Sequence, residues 1–290
     1  MLNRRIKFLL NAIGSLIGLA GVVFVIIRIY GYAEQIDLSI IDATDLAALG
    51  ILVIVYTVGN MALACSWWCL LKGVNIAVQW KWAIKVYGLS QIAKYVPGNI
   101  FHLATRQSMG MVANLKGLPL MKSTIWELTT LSLSALLFGV LTLPLFLTKL
   151  TIWMSLILFV TTMGMLSATF YLKYSISFTF GFFWHTLFHS ISGTVFVVIL
   201  TIVSKNLIIL QDFLLLAGAY VLAWLTGFVV PGAPAGIGVR EIVLFFLVQN
   251  KIFEPDLLLA IVLCRLVTVI SDLVFFLAAL ITVKNKNPHL

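Results

Sequence analysis

Charge is scarce in this sequence, and negative charge scarcest: 290 residues carry 19 Lys and Arg and only 10 Asp and Glu, against 62% hydrophobic residues. A soluble domain of this length needs a polar surface to cover its core. A mean hydropathy of +1.11 excludes one and requires an all-α polytopic membrane protein. The period-two alternation of a membrane β-barrel is missing as well, and the apolar runs are far too long for barrel strands. No stretch is long and polar enough to form a separate soluble domain, so residues 1–290 read as a single integral-membrane domain. Cysteine is sparse too. Cys65, Cys69 and Cys264 all lie in apolar segments, where they read as small hydrophobes, and no disulfide framework, metal site or other cofactor is indicated. The net charge of +9 does not point to nucleic acid, because the basic residues sit in short loops rather than in a stripe.

What is present is a series of long apolar runs. At about 20 residues per span, six full crossings are expected near 8–29, 46–71, 123–147, 151–172, 181–203 and 257–283. The first follows a basic flank, "MLNRRIKFLL", but is too long for a signal h-region and has no small-x-small cleavage site, so it reads as a retained helix. Two regions do not fit: 82–115 is interrupted and partly polar, and 208–250 is apolar but broken at Pro231. With the N-terminus (Arg4, Arg5, Lys7) in the cytoplasm, Lys72, Lys81, Lys116, Lys122, Lys173, Lys284 and Lys286 also fall inside. The outer loops then hold the acidic 30–45 segment, Lys149, Lys205 and Lys251. Positive-inside holds throughout only if each broken region enters and leaves on one side, which predicts two re-entrant helical hairpins and cytoplasmic termini.

The two breaks resemble each other. "YVPGNIFHLATRQ" at 95–107 and "VVPGAPAGIGVRE" at 229–241 share Val-Pro-Gly, seven residues, Arg, then Gln or Glu. Three crossings separate them, so they enter from opposite faces, as in an inverted-topology repeat. Pro97-Gly98 and Pro231-Gly232 end one helix and permit a turn, which at membrane depth must line protein or a water-filled cavity. The half-helix that follows offers free N–H groups and a positive dipole end to an anion. Gly236 and Gly238 allow close approach to this backbone, and Arg106 and Arg240 add guanidinium forks suited to phosphate or carboxylate. The alternative is that each arginine pins its own hairpin, although Arg240 and Glu241, as helix neighbours, point apart.

These residues resemble a known family. "PGAPAGIGVRE" is similar to the Pro-Gly-Gly-x-Gly-x-Arg-Glu signature of the lysylphosphatidylglycerol synthase/flippase transmembrane family, and "KYVPGNIFHLATRQ" to its Lys-x-x-Pro-Gly stretch followed by Arg. The likeness extends over nearly the whole chain in length and segment order and is specific at these two motifs. It implies a flippase-like membrane domain, in the bacterial inner membrane, that moves an anionic or zwitterionic phospholipid or a lipid-linked glycan intermediate. No synthase domain follows the last helix in this sequence, so aminoacyl transfer from tRNA is not assigned to it. Ala233-Pro234-Ala235 replaces a shorter Gly-rich turn, while Gly236, Gly238, Arg240 and Glu241 fit the motif.

Other polar residues extend the candidate substrate site. Lys94 stands three residues before Pro97 and either adds positive charge at the break or snorkels. Asn99 and His102 share the next turn and are placed to hydrogen-bond a headgroup or cap the half-helix. Arg265 and Asp272, seven apart on the last helix and about 10 Å along it, either pair through a third group or reach into the re-entrant elements. Glu127 is a further buried acid, a candidate for proton coupling or for interhelical pairing. His185 and His189 are four apart, but "FFWHTLFHS" offers no third ligand and reads as structural or interfacial. Three functions compete: a lipid translocase, an enzyme or accessory subunit of lipid-linked glycan assembly using a polyprenyl phosphate, and a small-molecule transporter or non-catalytic subunit. No clustered pair of carboxylates marks the enzyme, so a transporter is the leading reading. Its partners would be a membrane lipid or lipid-linked substrate, with a second copy or a synthase or transferase beside it.

Overall fold

A computed structural model describes residues 41–96, 100–229, 238–248 and 251–281, together with Val23, Ile27, Tyr30 and Gly31. The expected first crossing, 8–29, and both termini lie otherwise outside the described residues, as do Pro97, Gly98, Asn99, Pro231, Gly232 and Gly236. Within them the chain is helical, without strands: α1 Ala43–Gly73, α2 Trp80–Gln91 running into a 3₁₀ turn Ile92–Tyr95, and α3 Phe101–Val112. Then come α4 Gly117–Gly139 with a 3₁₀ extension Val140–Leu145, α5 Ile152–Lys173, α6 Ile176–Ser204, α7 Leu210–Val229, α8 Val239–Val248 and α9 Glu254–Ile281.

Local chemistry sets several of these ends. Asp42 caps α1 by accepting the Asp45 N–H at 2.8 Å, while Asp45 accepts the Asp42 N–H at 3.2 Å, a reciprocal box that satisfies two orphan donors. Hydrogen bonds from the Thr44 hydroxyl and the Asp45 N–H pull the exposed Asp42 carboxyl down from 3.8 to about 2. Thr151 caps α5 through the Met154 N–H at 3.3 Å. Pro144 falls in the 3₁₀ extension of α4, where the regular helical ladder has already ended.

Among the described residues, six helices are long and apolar enough to cross a membrane: α1, α4 with its extension, α5, α6, α7 and α9. They mark an integral membrane protein. Five match the expected crossings to within a few residues. The sixth, α7, differs from expectation: it is the first arm of the 208–250 region, and its 20 residues reach about 30 Å, a full span rather than half of one. Sequence reading underrated it because Pro231 drew the boundary of the whole region. By contrast α2, α3 and α8, at 12, 12 and 10 residues, are too short to cross.

Two ion pairs tie the helix ends together. Lys205, after α6, bonds Asp45 at 2.5 Å and lies 3.7 Å from Asp42. Lys251, before α9, lies 3.6 Å from Asp212 at the start of α7. The start of α7 and the chain just before α9 therefore lie beside each other. Helices in lipid gain from close backbone approach, and Gly218 of α7 provides it: a Cβ there would stand 2.8 Å from the Phe138 carbonyl oxygen.

Candidate functional site

The last helix organises the interior. Its two buried charged residues, Arg265 and Asp272, do not bond each other; each reaches a different broken segment. Arg265 donates from Nε and Nη2 to Glu241 Oε1 at 2.7 and 2.6 Å, and Glu241 Oε2 accepts the Gly238 N–H at 2.7 Å. Gly238 holds φ of 86°, a left-handed turn that aims its N–H at that carboxylate. Two turns along α9, Asp272 accepts from Lys94 Nζ at 2.7 Å, from the Tyr95 hydroxyl at 2.5 Å and from Asn60 Nδ2 at 3.0 Å. Of the two expected arrangements, contact with the broken segments is therefore the one formed.

Arg106 is the most enclosed of the cations, 1% exposed. Its Nη1 donates to both oxygens of Glu127 at 2.6 and 2.7 Å, and the Tyr87 hydroxyl donates to Glu127 Oε1 at 3.0 Å. The guanidinium carbon lies 3.9 Å over the Tyr87 ring. Trp67, stacked on Trp82, lies 5.3 Å from the same guanidinium carbon. The motif's first arginine is thus neutralised within the fold, and Glu127 is its counterion.

Arg240 has a different setting. Glu241 is taken by Arg265, and no ion pair to Arg240 occurs among the described residues. Its guanidinium lies 4.3 Å over the Tyr220 ring, which Phe196 backs at 4.6 Å with nearly parallel planes. Arg240 is 7% exposed, and its Nη2 is buried with no hydrogen-bond partner. A buried cation is costly unless something meets it, and one aromatic face supplies only part of that.

Several of these groups line one cavity. Lys94, His102, Glu127, Arg240, Arg265 and Asp272 line it together with the apolar Leu131, Phe188, Trp224 and Phe228. His102 is 9% exposed, with a buried Nδ1 that also lacks a partner. Arg106 and Glu241 stand behind the lining, holding the residues that form it. Tyr56, Tyr87, Tyr95 and Asn60 also belong to the site, and sequence reading passed over them. Their signal was polar tips within otherwise apolar helices.

His185 and His189 are fully buried. His185 Nδ1 meets the Thr130 hydroxyl at 2.9 Å, and His189 Nε2 meets the Leu131 carbonyl at 3.2 Å with Trp224 against its ring. They are polar pins of the interior, away from the membrane interface. No cluster of three metal-ligating side chains occurs among the described residues.

No protein-family model, curated protein or solved structure matches the chain. The functional reading therefore rests on the geometry of this cavity and on the two motifs.

Proposed function

We propose that the protein is a lipid translocase: the headgroup of an anionic or zwitterionic phospholipid, or of a lipid-linked glycan intermediate, crosses through the cavity while its chains stay in the bilayer. The observation that carries this is Arg240, a buried guanidinium that lines the cavity and has no ion pair among the described residues. An anion would complete it. The apolar lining residues Phe188, Trp224 and Phe228 suit the lipid part of such a ligand. The two Val-Pro-Gly segments form an inverted repeat of re-entrant elements, a reading supported by the short helices α3 and α8 after each break and by the Lys251–Asp212 pair joining the ends of the second region. The likeness to the lysylphosphatidylglycerol synthase/flippase transmembrane family, the inner-membrane location and the cytoplasmic termini belong to the same proposal.

The test is flipping of a fluorescent phosphatidylglycerol in proteoliposomes, expressed per folded molecule and read beside the melting temperature. Arg240→Ala should remove transport from a folded protein, since losing a charge-assisted contact in a desolvated site costs about 2–5 kcal/mol. Arg240→Lys should restore only part of it, lacking the planar fork. Near-normal specific transport in Arg240→Ala overturns the reading. Turnover of a polyprenyl phosphate without flipping would place the protein among the enzymes instead.

A further inference from the structure

The charges around the cavity nearly cancel, and the remainder is informative. Among the described residues, four basic side chains line it or pair with groups that do: Lys94, Arg106, Arg240 and Arg265. Three acids answer them, Asp272 for Lys94, Glu127 for Arg106 and Glu241 for Arg265. Four against three leaves one positive charge, located on Arg240. A residue of the other motif lines the same cavity and also carries an unsatisfied atom: His102, whose Nδ1 is buried without a partner. A neutral imidazole has one N–H to donate and adds no charge.

We propose that the cavity receives an oxyanion of single negative charge, with Arg240 neutralising it and His102 Nδ1–H donating to the same group; in a membrane the fitting class is a phosphodiester. Arg106, the sequence counterpart of Arg240, is a positioning residue, and His102 is the ligand contact of the first motif. A phosphomonoester is selected against. Its second proton leaves near pH 6, and the extra charge would lie in a low-dielectric cavity whose other cations are already paired. The inference rests on the headgroup reading above and adds to it a charge rule and a residue.

Calorimetric binding of dihexanoyl phosphatidylglycerol and dihexanoyl phosphatidic acid to the full-length protein in detergent, at pH 8, tests it. The diester should bind at least about tenfold more tightly, consistent with the cost of an unpaired buried charge. Asp272→Asn keeps an oxygen for Tyr95 but releases Lys94, and should raise phosphatidic acid affinity about tenfold, narrowing that preference. His102→Phe should weaken diester binding about tenfold without lowering the melting temperature, and His102→Gln, with a donor restored, should recover part of it. Equal binding of the two lipids to the wild type overturns the charge rule, and unchanged diester binding in a folded His102→Phe overturns the residue assignment. Diester binding that survives Arg240→Gln overturns the headgroup reading itself. Deacylated glycerophosphoglycerol binding as tightly as the lipid would uphold the charge rule while removing the lipid from the proposed function.

Discussion

A guanidinium within a membrane protein persists only where its charge is answered, and Arg106 and Arg240 are answered differently. Arg106 has Glu127 at 2.6 Å and the Tyr87 ring beneath it. Removing one member of such a pair leaves a lone buried charge, so Glu127→Ala should destabilise the protein by about 3–5 kcal/mol. Arg106→Met with Glu127→Leu removes both charges and should cost much less. Thermal unfolding of the purified variants decides this: a double variant as unstable as the sum of the singles would show that the pair is not the unit. In sequence these arginines are indistinguishable, each following Val-Pro-Gly by the same spacing. Nothing local could reveal that one has a counterion on α4 and the other does not.

Among elements, α9 is the latch that holds both broken segments, Arg265 on the second and Asp272 on the first. Because their partners are separate, the losses from Arg265→Ala and Asp272→Ala should add in the double variant to within about 0.5 kcal/mol. A marked departure from additivity in denaturation would mean that the two latches share a network. At the other end, the Asp42 cap has a folded carboxyl depressed to about 2 from 3.8. A depressed acid stabilises the ionised, folded state, so its contribution is complete above about pH 4 and fades as pH falls toward 2. The melting temperature of Asp42→Ala should therefore trail the wild type at neutral pH and converge with it in acid. A constant gap across that range would show that the carboxylate charge is not what caps α1. Helix existence was legible here from apolar runs, whereas Asp42 and Asp45 read only as acids of an outer loop and their reciprocal cap emerged with the structure. The length of α7 was not legible, because a proline just beyond a helix says where it stops and nothing about how deep it began.

For the whole molecule, the ion pairs Lys205–Asp45 and Lys251–Asp212 bring together loops that charge bias assigns to one membrane face. In a background with Cys65, Cys69 and Cys264 replaced by alanine, Lys205→Cys and Lys251→Cys should react with an impermeant maleimide from the same side. Lys72→Cys, Lys116→Cys and Lys173→Cys should react from the other. Lys251→Cys reacting with the Lys173 group would mean that the 208–250 region crosses, and the hairpin reading would fall. The membrane class, five of the six long helices, the two breaks and the charged residues near them followed from the sequence alone, because hydropathy, Pro-Gly geometry and the cost of buried charge act locally. Which acid meets which base followed only from the tertiary structure. Lys94 and Asp272, or Glu241 and Arg265, come within hydrogen-bond distance through helix packing, and no neighbour-to-neighbour rule reaches across those separations. The absence of an ion pair to Arg240 among the described residues is likewise a property of the packed whole, since its sequence neighbour Glu241 is claimed by Arg265.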